Sequence, residues 1–138
     1  MQETLLAYVA GIVDGEGCIR TNLNIKKQPV VRVHVTNTNK LLVDTLKFYF
    51  GGYIWAENES YIENAKPRYI WEISSFAAEN FLKLIRPYLL LKAKQADLAL
   101  ELRKTMGKRG YNEVSVETMN LRLELAKQIK SLNKKGLH

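Results

Sequence analysis

The chain has 138 residues, 46% of them hydrophobic, which suits one domain spanning residues 1–138 with its own core and excludes a disordered tail. Its one cysteine, Cys18, excludes an internal disulfide, and no apolar run approaches the ~20 residues of a membrane span, so we expect an intracellular protein without a membrane partner. The 21 lysines and arginines outnumber the 14 aspartates and glutamates, for a net charge of +7. That excess favours a polyanionic partner such as nucleic acid about as strongly as it favours a merely basic surface.

Residues 4–14 predict a first helix that is apolar on nearly every side and is therefore expected to be buried on several sides. Ala7 and Gly11 lie four residues apart, so they share a face and leave a patch of small residues where another backbone could approach closely. We expect Gly15 and Gly17 to end this helix by adopting the positive φ angles that a helix stop needs.

Residues 18–26 and 28–37 alternate between apolar and polar side chains, which predicts an antiparallel hairpin with Pro29 near its turn. Odd-numbered positions form the apolar face, and on this pattern the apolar face includes Leu23 and Ile25. Even-numbered positions form the polar face, which carries Arg20, Asn22, Asn24, Lys26, Arg32, His34 and Thr36.

The rest of the chain continues the alternation of helices and hairpins. The predicted elements are a helix capped by Asn39 and stopped by Gly51-Gly52, strands at 53–57 and 68–74, a helix capped by Ser75 and ended by Pro87, a helix at 92–106 broken by Gly107–Gly110, and a helix at 116–132 capped by Ser115. The order helix, hairpin, helix, hairpin, helix, followed by terminal helices, predicts an α+β fold with one antiparallel, saddle-like sheet.

Two acidic residues close the first predicted helix, in the sequence Asp14-Gly15-Glu16-Gly17. Carboxylates at the C-terminal end of a helix face unpaired carbonyls and the negative end of the helix dipole, so they favour a bound cation. Mg²⁺ fits, because it takes oxygen ligands such as carboxylates, carbonyls, waters and phosphates. Taken by itself, however, the segment is more typical of an acidic turn facing solvent.

The run from Val9 to Gly17 resembles the LAGLIDADG motif of homing endonucleases, which ends in a Gly-acid-Gly-acid-Gly segment. The resemblance implies that Glu16 ligates a divalent metal, Mg²⁺ or alternatively Mn²⁺, beside the backbone carbonyl of Gly15. It implies a structural role for Asp14. It also makes the motif helix a homodimer interface, formed by Ala7, Ala10 and Gly11.

Two further segments resemble the same family. Residues 86–96 are similar to a segment that carries a basic residue near the cleavage site, which implies that Lys92 is catalytic and that Lys94 contacts the DNA backbone. Asn37, at the end of the second strand, matches a polar position that orients water at the site. The chain departs from the pattern at Leu41, where some members carry an arginine, so the second basic residue of the catalytic pocket is left open.

The resemblance as a whole implies an intron-encoded, site-specific endonuclease that cuts double-stranded DNA as a homodimer on a long pseudo-palindromic site. Its location would be a prokaryotic cytoplasm or an organelle, either mitochondrion or chloroplast. The polar face of the first hairpin would read bases in the major groove, and the second hairpin would add Trp55, Glu57 and Arg68. The alternatives are an RNA maturase that assists intron splicing and a DNA-binding protein of the same fold that does not cleave.

Overall fold

The computed structural model describes residues 1–58, 66–106 and 114–135, and its helices and strands follow the predicted order. The elements are α1 (Glu3–Glu16), β1 (Gly17–Leu23), β2 (Pro29–Asn37), α2 (Lys40–Phe50), β3 (Tyr53–Glu57), β4 (Arg68–Ser74), α3 (Ser75–Ile85), a 3-10 turn (Arg86–Tyr88), α4 (Ala93–Lys104) and α5 (Val116–Lys135). The predicted α+β class is confirmed. The predicted break at Gly107–Gly110 lies outside the described residues.

The four strands form one antiparallel sheet in the order β1-β2-β4-β3, so the two hairpins meet at their inner strands. The register separates the two faces cleanly. The buried face carries Ile19, Val31, Val33, Val35, Trp71 and Ile73, which join residues of the helices in the core. The other face, here called the polar sheet face, consists of the even-numbered residues of β1, β2 and β4 and the odd-numbered residues of β3.

Helix α1 continues two residues beyond the prediction, to Glu16, and Gly15 lies within it. Gly17 has φ −93°, so the expectation of a positive φ at this stop was wrong. Glycine is needed there for another reason. A Cβ on residue 17 would lie 2.8 Å from the Cα of Val13, because β1 leaves the helix in close contact with its last turn. Among the described glycines, the positive φ angles belong to Gly51 and Gly52.

The first hairpin is shorter than predicted, because its turn begins at Asn24. The side-chain oxygen of Asn24 accepts the backbone N–H of Gln28 at 3.0 Å, which closes the turn locally. Leu23 and Ile25 are exposed rather than part of the apolar face. Leu23 is the last residue of β1 and Ile25 lies in the turn beyond it, so the period-two alternation continues in the sequence past the part of the sheet that the core covers.

Side-chain caps set the start of two helices. Asn39 accepts the backbone N–H of Leu41 at 3.0 Å, and Ser115 accepts that of Thr118 at 3.1 Å, so both predicted caps are confirmed. Ser75 was wrongly predicted as a cap, because it is already the first residue of α3, with φ 55°. Among the described helices, none combines the length and the hydropathy that a membrane span requires.

Candidate active site and nucleic-acid interface

The exposed carboxylate of Glu16 stands at the C-terminal end of α1, where three elements meet. Its Oε2 accepts a hydrogen bond from Nδ2 of Asn37, the last residue of β2, at 2.7 Å. Asn37 is held in turn, because its Oδ1 accepts the backbone N–H of Asn39 at 2.7 Å. The predicted site residues Glu16 and Asn37 are therefore adjacent, and Asn37 orients the carboxylate.

Asp14 turns away from Glu16 and binds the chain before α4. Its two carboxylate oxygens accept the backbone N–H groups of Leu90 at 2.8 Å and Lys92 at 3.0 Å. The ammonium of Lys92 donates to the backbone carbonyl of Asp14 at 2.7 Å. A cation at this end of a helix offsets the negative end of its dipole. Asp14 thus has the structural role predicted for it, and it brings Lys92 to the end of the helix that presents Glu16.

The outward side of α1 is lined by small residues. Ala7, Gly11 and Gly15 are exposed, and a Cβ added at either glycine would meet nothing within 4 Å. Ala10 is different, because it has 0% exposure within the core of its own chain. Its predicted place in a dimer interface is therefore wrong. This face forms one wall of an open groove of about 600 Å³ that extends to α2; the groove is lined by Ala7, Tyr8, Gly11, Ile12, Gly15, Glu16, Asn37, Asn39 and Leu42.

Hydrogen-bonding residues of all four strands lie side by side on the polar sheet face. The register places Arg20 opposite Arg32 and His34 opposite Glu72. Thr36 and Trp55 flank Ile70, while Arg68 and Glu57 form an exposed ion pair at 2.9 Å. Of the predicted base-reading residues, Asn24 and Lys26 lie in the hairpin turn, beyond the strands. Lys94 is exposed on α4.

Glu72 is the residue of this face that sequence reasoning missed. Its Oε1 accepts Nη2 of Arg20 at 3.0 Å and its Oε2 accepts Nη1 of Arg32 at 3.4 Å. The Nε of Arg20 also donates to Nδ1 of His34 at 3.2 Å, and the Nε of Arg32 donates to Oδ1 of Asn22. The signal was available in the sequence. Glu72 has the same parity in its strand as Arg68, and it alternates with Trp71 and Ile73, whose side chains point to the core.

The half-buried imidazole of His34 should make folding stability depend on pH. Burial lowers the pKa of His34 below 6.5, and the nearby Arg20 lowers it further against the opposing effect of Glu72. As the pH falls, the imidazole of His34 is therefore protonated in the unfolded chain before it is protonated in the folded one. The contribution of neutral His34 to the unfolding free energy is fully present above about pH 6.5 and is lost as the pH drops below it. We expect His34→Gln, which cannot titrate, to lose less unfolding free energy than the wild type between about pH 7.5 and pH 5 in urea titrations. Parallel pH profiles for the two proteins would contradict this.

The end of α1 presents mainly oxygen atoms that could serve as metal ligands. Besides the Glu16 carboxylate, the carbonyls of the last helical turn lack intrahelical partners, and that of Gly15 is the nearest in sequence. Such donors suit Mg²⁺, which commonly takes one or two carboxylates and completes its shell with waters and phosphate oxygens. Within the ranges that the structure describes, no three His, Cys, Asp or Glu side chains are grouped closely enough to hold a metal ion.

No protein-family model and no curated protein matches the sequence, but solved structures match nearly its whole length. The homing endonuclease I-CvuI, crystallised with its target in the presence of Ca, has a TM-score of 0.69 at 22% identity, with 98% of this chain and 96% of that chain covered. The archaeal intron-encoded homing endonuclease I-Vdi141I, complexed with DNA, has a TM-score of 0.74 at 15% identity, with 96% and 86% covered. The chain has the fold of the LAGLIDADG homing endonucleases.

A third structure with the LAGLIDADG endonuclease fold is about twice as long as this chain. The homing endonuclease I-SmaMI, bound to an uncleaved DNA target in the presence of calcium ions, has a TM-score of 0.63 at 22% identity. The similarity covers 91% of this chain but only 45% of I-SmaMI. This chain is therefore similar in length to I-CvuI and to about half of I-SmaMI.

Proposed function

We propose that the chain is a homing endonuclease of the LAGLIDADG family, which cuts both strands of a specific DNA site as a homodimer with bound Mg²⁺. The observation that carries the proposal is the position of Glu16. Its carboxylate stands exposed at the end of the motif helix, held by Asn37 of β2, in a fold shared with homing endonucleases solved on DNA. A solvated acidic turn would not need the amide of a residue 21 positions away to orient it.

DNA binding is supported by the polar sheet face. Its arginines and asparagine can hydrogen-bond to base edges, since arginine suits guanine and asparagine suits adenine in the major groove. The net charge of +7 adds the attraction to phosphate that underlies nonspecific affinity. Lys94, and the turn residues Asn24 and Lys26, would extend the contact beyond the strands.

The catalytic roles follow from the contacts at the end of α1. Glu16 and the carbonyl of Gly15 would hold the metal ion, which when bound lowers the pKa of a coordinated water and polarises the scissile phosphate. Asn37 fixes the direction of the Glu16 carboxylate. The ammonium of Lys92 donates one of its three N–H groups to the carbonyl of Asp14. The other two could offset the negative charge that develops on the phosphate.

Two observations support the homodimer. The exposed face of α1 has open space at Gly11 and Gly15, so a partner helix could approach its backbone closely. The chain also spans about half of I-SmaMI, so two copies would match the length of that protein. A symmetric dimer places one Glu16 per DNA strand and reads a pseudo-palindromic site.

The test combines gel filtration with a cleavage screen on a library of randomised double-stranded DNA. We expect elution as a dimer, cuts in both strands with Mg²⁺, and sequence-selective binding without cutting in Ca²⁺. Intron RNA incubated in parallel separates the alternatives. Assisted splicing without DNA cleavage would identify a maturase, and metal-independent binding without nicking would identify a DNA-binding regulator.

A further inference from the structure

Glu72 places a negative charge in the middle of a surface that is otherwise suited to DNA. Its side chain is only 13% exposed, and the two guanidinium groups that reach it come from different strands, Arg20 from β1 and Arg32 from β2. Each arginine has a second anchor on its Nε, His34 for one and Asn22 for the other. The five side chains form one chain of hydrogen bonds across three strands.

A carboxylate at this position opposes binding to phosphates, so a surface selected for affinity alone would not carry it. Its benefit lies in the geometry of the arginines. A free arginine side chain samples many rotamers, and ordering it costs free energy when DNA binds. Here two anchors fix each guanidinium in advance and use two of its five N–H donors, which leaves three N–H donors for hydrogen bonds to bases.

We propose that Glu72 is the positioning residue that sets the sequence specificity of the polar sheet face, by holding Arg20 and Arg32 for bidentate contact with bases. This inference rests on the proposed DNA-binding function and adds a determinant to it. Glu72 acts through the two arginines. Removing its charge frees them to follow the phosphate backbone, so nonspecific affinity rises while selectivity falls.

The test compares Glu72→Gln with Glu57→Gln. Both variants remove one negative charge from the same sheet, but within the described residues Glu57 pairs with Arg68 alone, and both members of that pair are about half exposed, at 50% and 51%. Binding in Ca²⁺ is measured for the duplex that the wild type selects from a randomised library and for a scrambled duplex of equal length. For Glu72→Gln we expect the ratio of the two affinities to fall about fivefold or more, since the discrimination that one bidentate arginine contributes begins at about fivefold.

The dependence on salt gives a second readout, which a loss of stability alone would not change. On the scrambled duplex, the slope of log affinity against log salt should steepen by up to about two for Glu72→Gln and by at most about one for Glu57→Gln. If Glu72→Gln raised the affinity for both duplexes equally, Glu72 would act only through its negative charge, and the proposal would be overturned. Identical behaviour of the two variants would overturn it as well. If the wild type selects no DNA, the proposed function itself fails.

A double-mutant cycle avoids any change at Glu72 in case Glu72→Gln does not fold. Arg20→Lys and Arg32→Lys keep their charges but lose the two-point attachment. Because the two arginines share one carboxylate, we expect their effects on the affinity ratio to be coupled at least threefold. Arg20→Lys combined with Arg68→Lys should be additive, since Arg68 pairs with Glu57 instead. Additivity in both cycles would contradict a shared positioning residue.

Discussion

Replacing Glu16 with Gln should abolish DNA cleavage in Mg²⁺ while leaving binding in Ca²⁺ and the stability of the fold intact. The side chain is exposed at the end of α1, and Gln retains an oxygen that can accept the Asn37 amide, so folding loses little. The negative charge that would hold the proposed metal ion is lost. Even an outer partner of a metal ligand is worth about 10–100-fold in activity or metal affinity, so we expect the cleavage rate to fall at least about a hundredfold.

Asp14→Asn is the matched control, because the two acidic residues of one motif contact different parts of the molecule. Asp14 accepts two backbone N–H groups before α4, and a neutral amide offers one oxygen where the carboxylate offers two. We expect Asp14→Asn to lose about 1–3 kcal/mol of unfolding free energy, whereas Glu16→Gln unfolds like the wild type in urea. A Glu16→Gln protein that still cuts DNA would refute the assignment of the metal ligand.

Replacing Gly11 with Glu should separate the proposed dimer without unfolding the chain. Gly11 is exposed, and a side chain there meets nothing of its own chain within 4 Å. Exchanging a mid-helix glycine for a better helix former raises intrinsic helix stability by about 0.5–1 kcal/mol. In a symmetric dimer, however, the new carboxylates would be forced together where partner helices meet. We expect a monomer in gel filtration, with double-strand cleavage lost.

The control for Gly11→Glu is Ala77→Glu, which adds the same charge at an exposed position of α3. This variant should remain dimeric and active. Dimerisation also makes the melting temperature rise with protein concentration, and that dependence should disappear only in Gly11→Glu. If Gly11→Glu still elutes as a dimer, the interface is not this face of α1.

The features that the sequence predicted correctly depend on local interactions. The bounds of β3 and β4 agree with their predicted ranges, and Asn39 and Ser115 cap the predicted helices. Strand alternation and side-chain caps depend on residues a few positions apart, so the sequence contains the necessary information. The alternation misled at Leu23 and Ile25, because the pattern can continue past the part of the sheet that the core covers.

The element order, the motif that contains Glu16 and the parity of the polar strand positions can all be predicted from the sequence. Which side of α1 stays exposed depends on how the helix packs. A helix that is apolar nearly all round has no polar stripe to orient it, so packing alone buries Ala10 and exposes Gly11. The same holds for Glu72. Its contact with Arg20 joins residues 52 positions apart, and such a contact exists only after β1, β2 and β4 have paired.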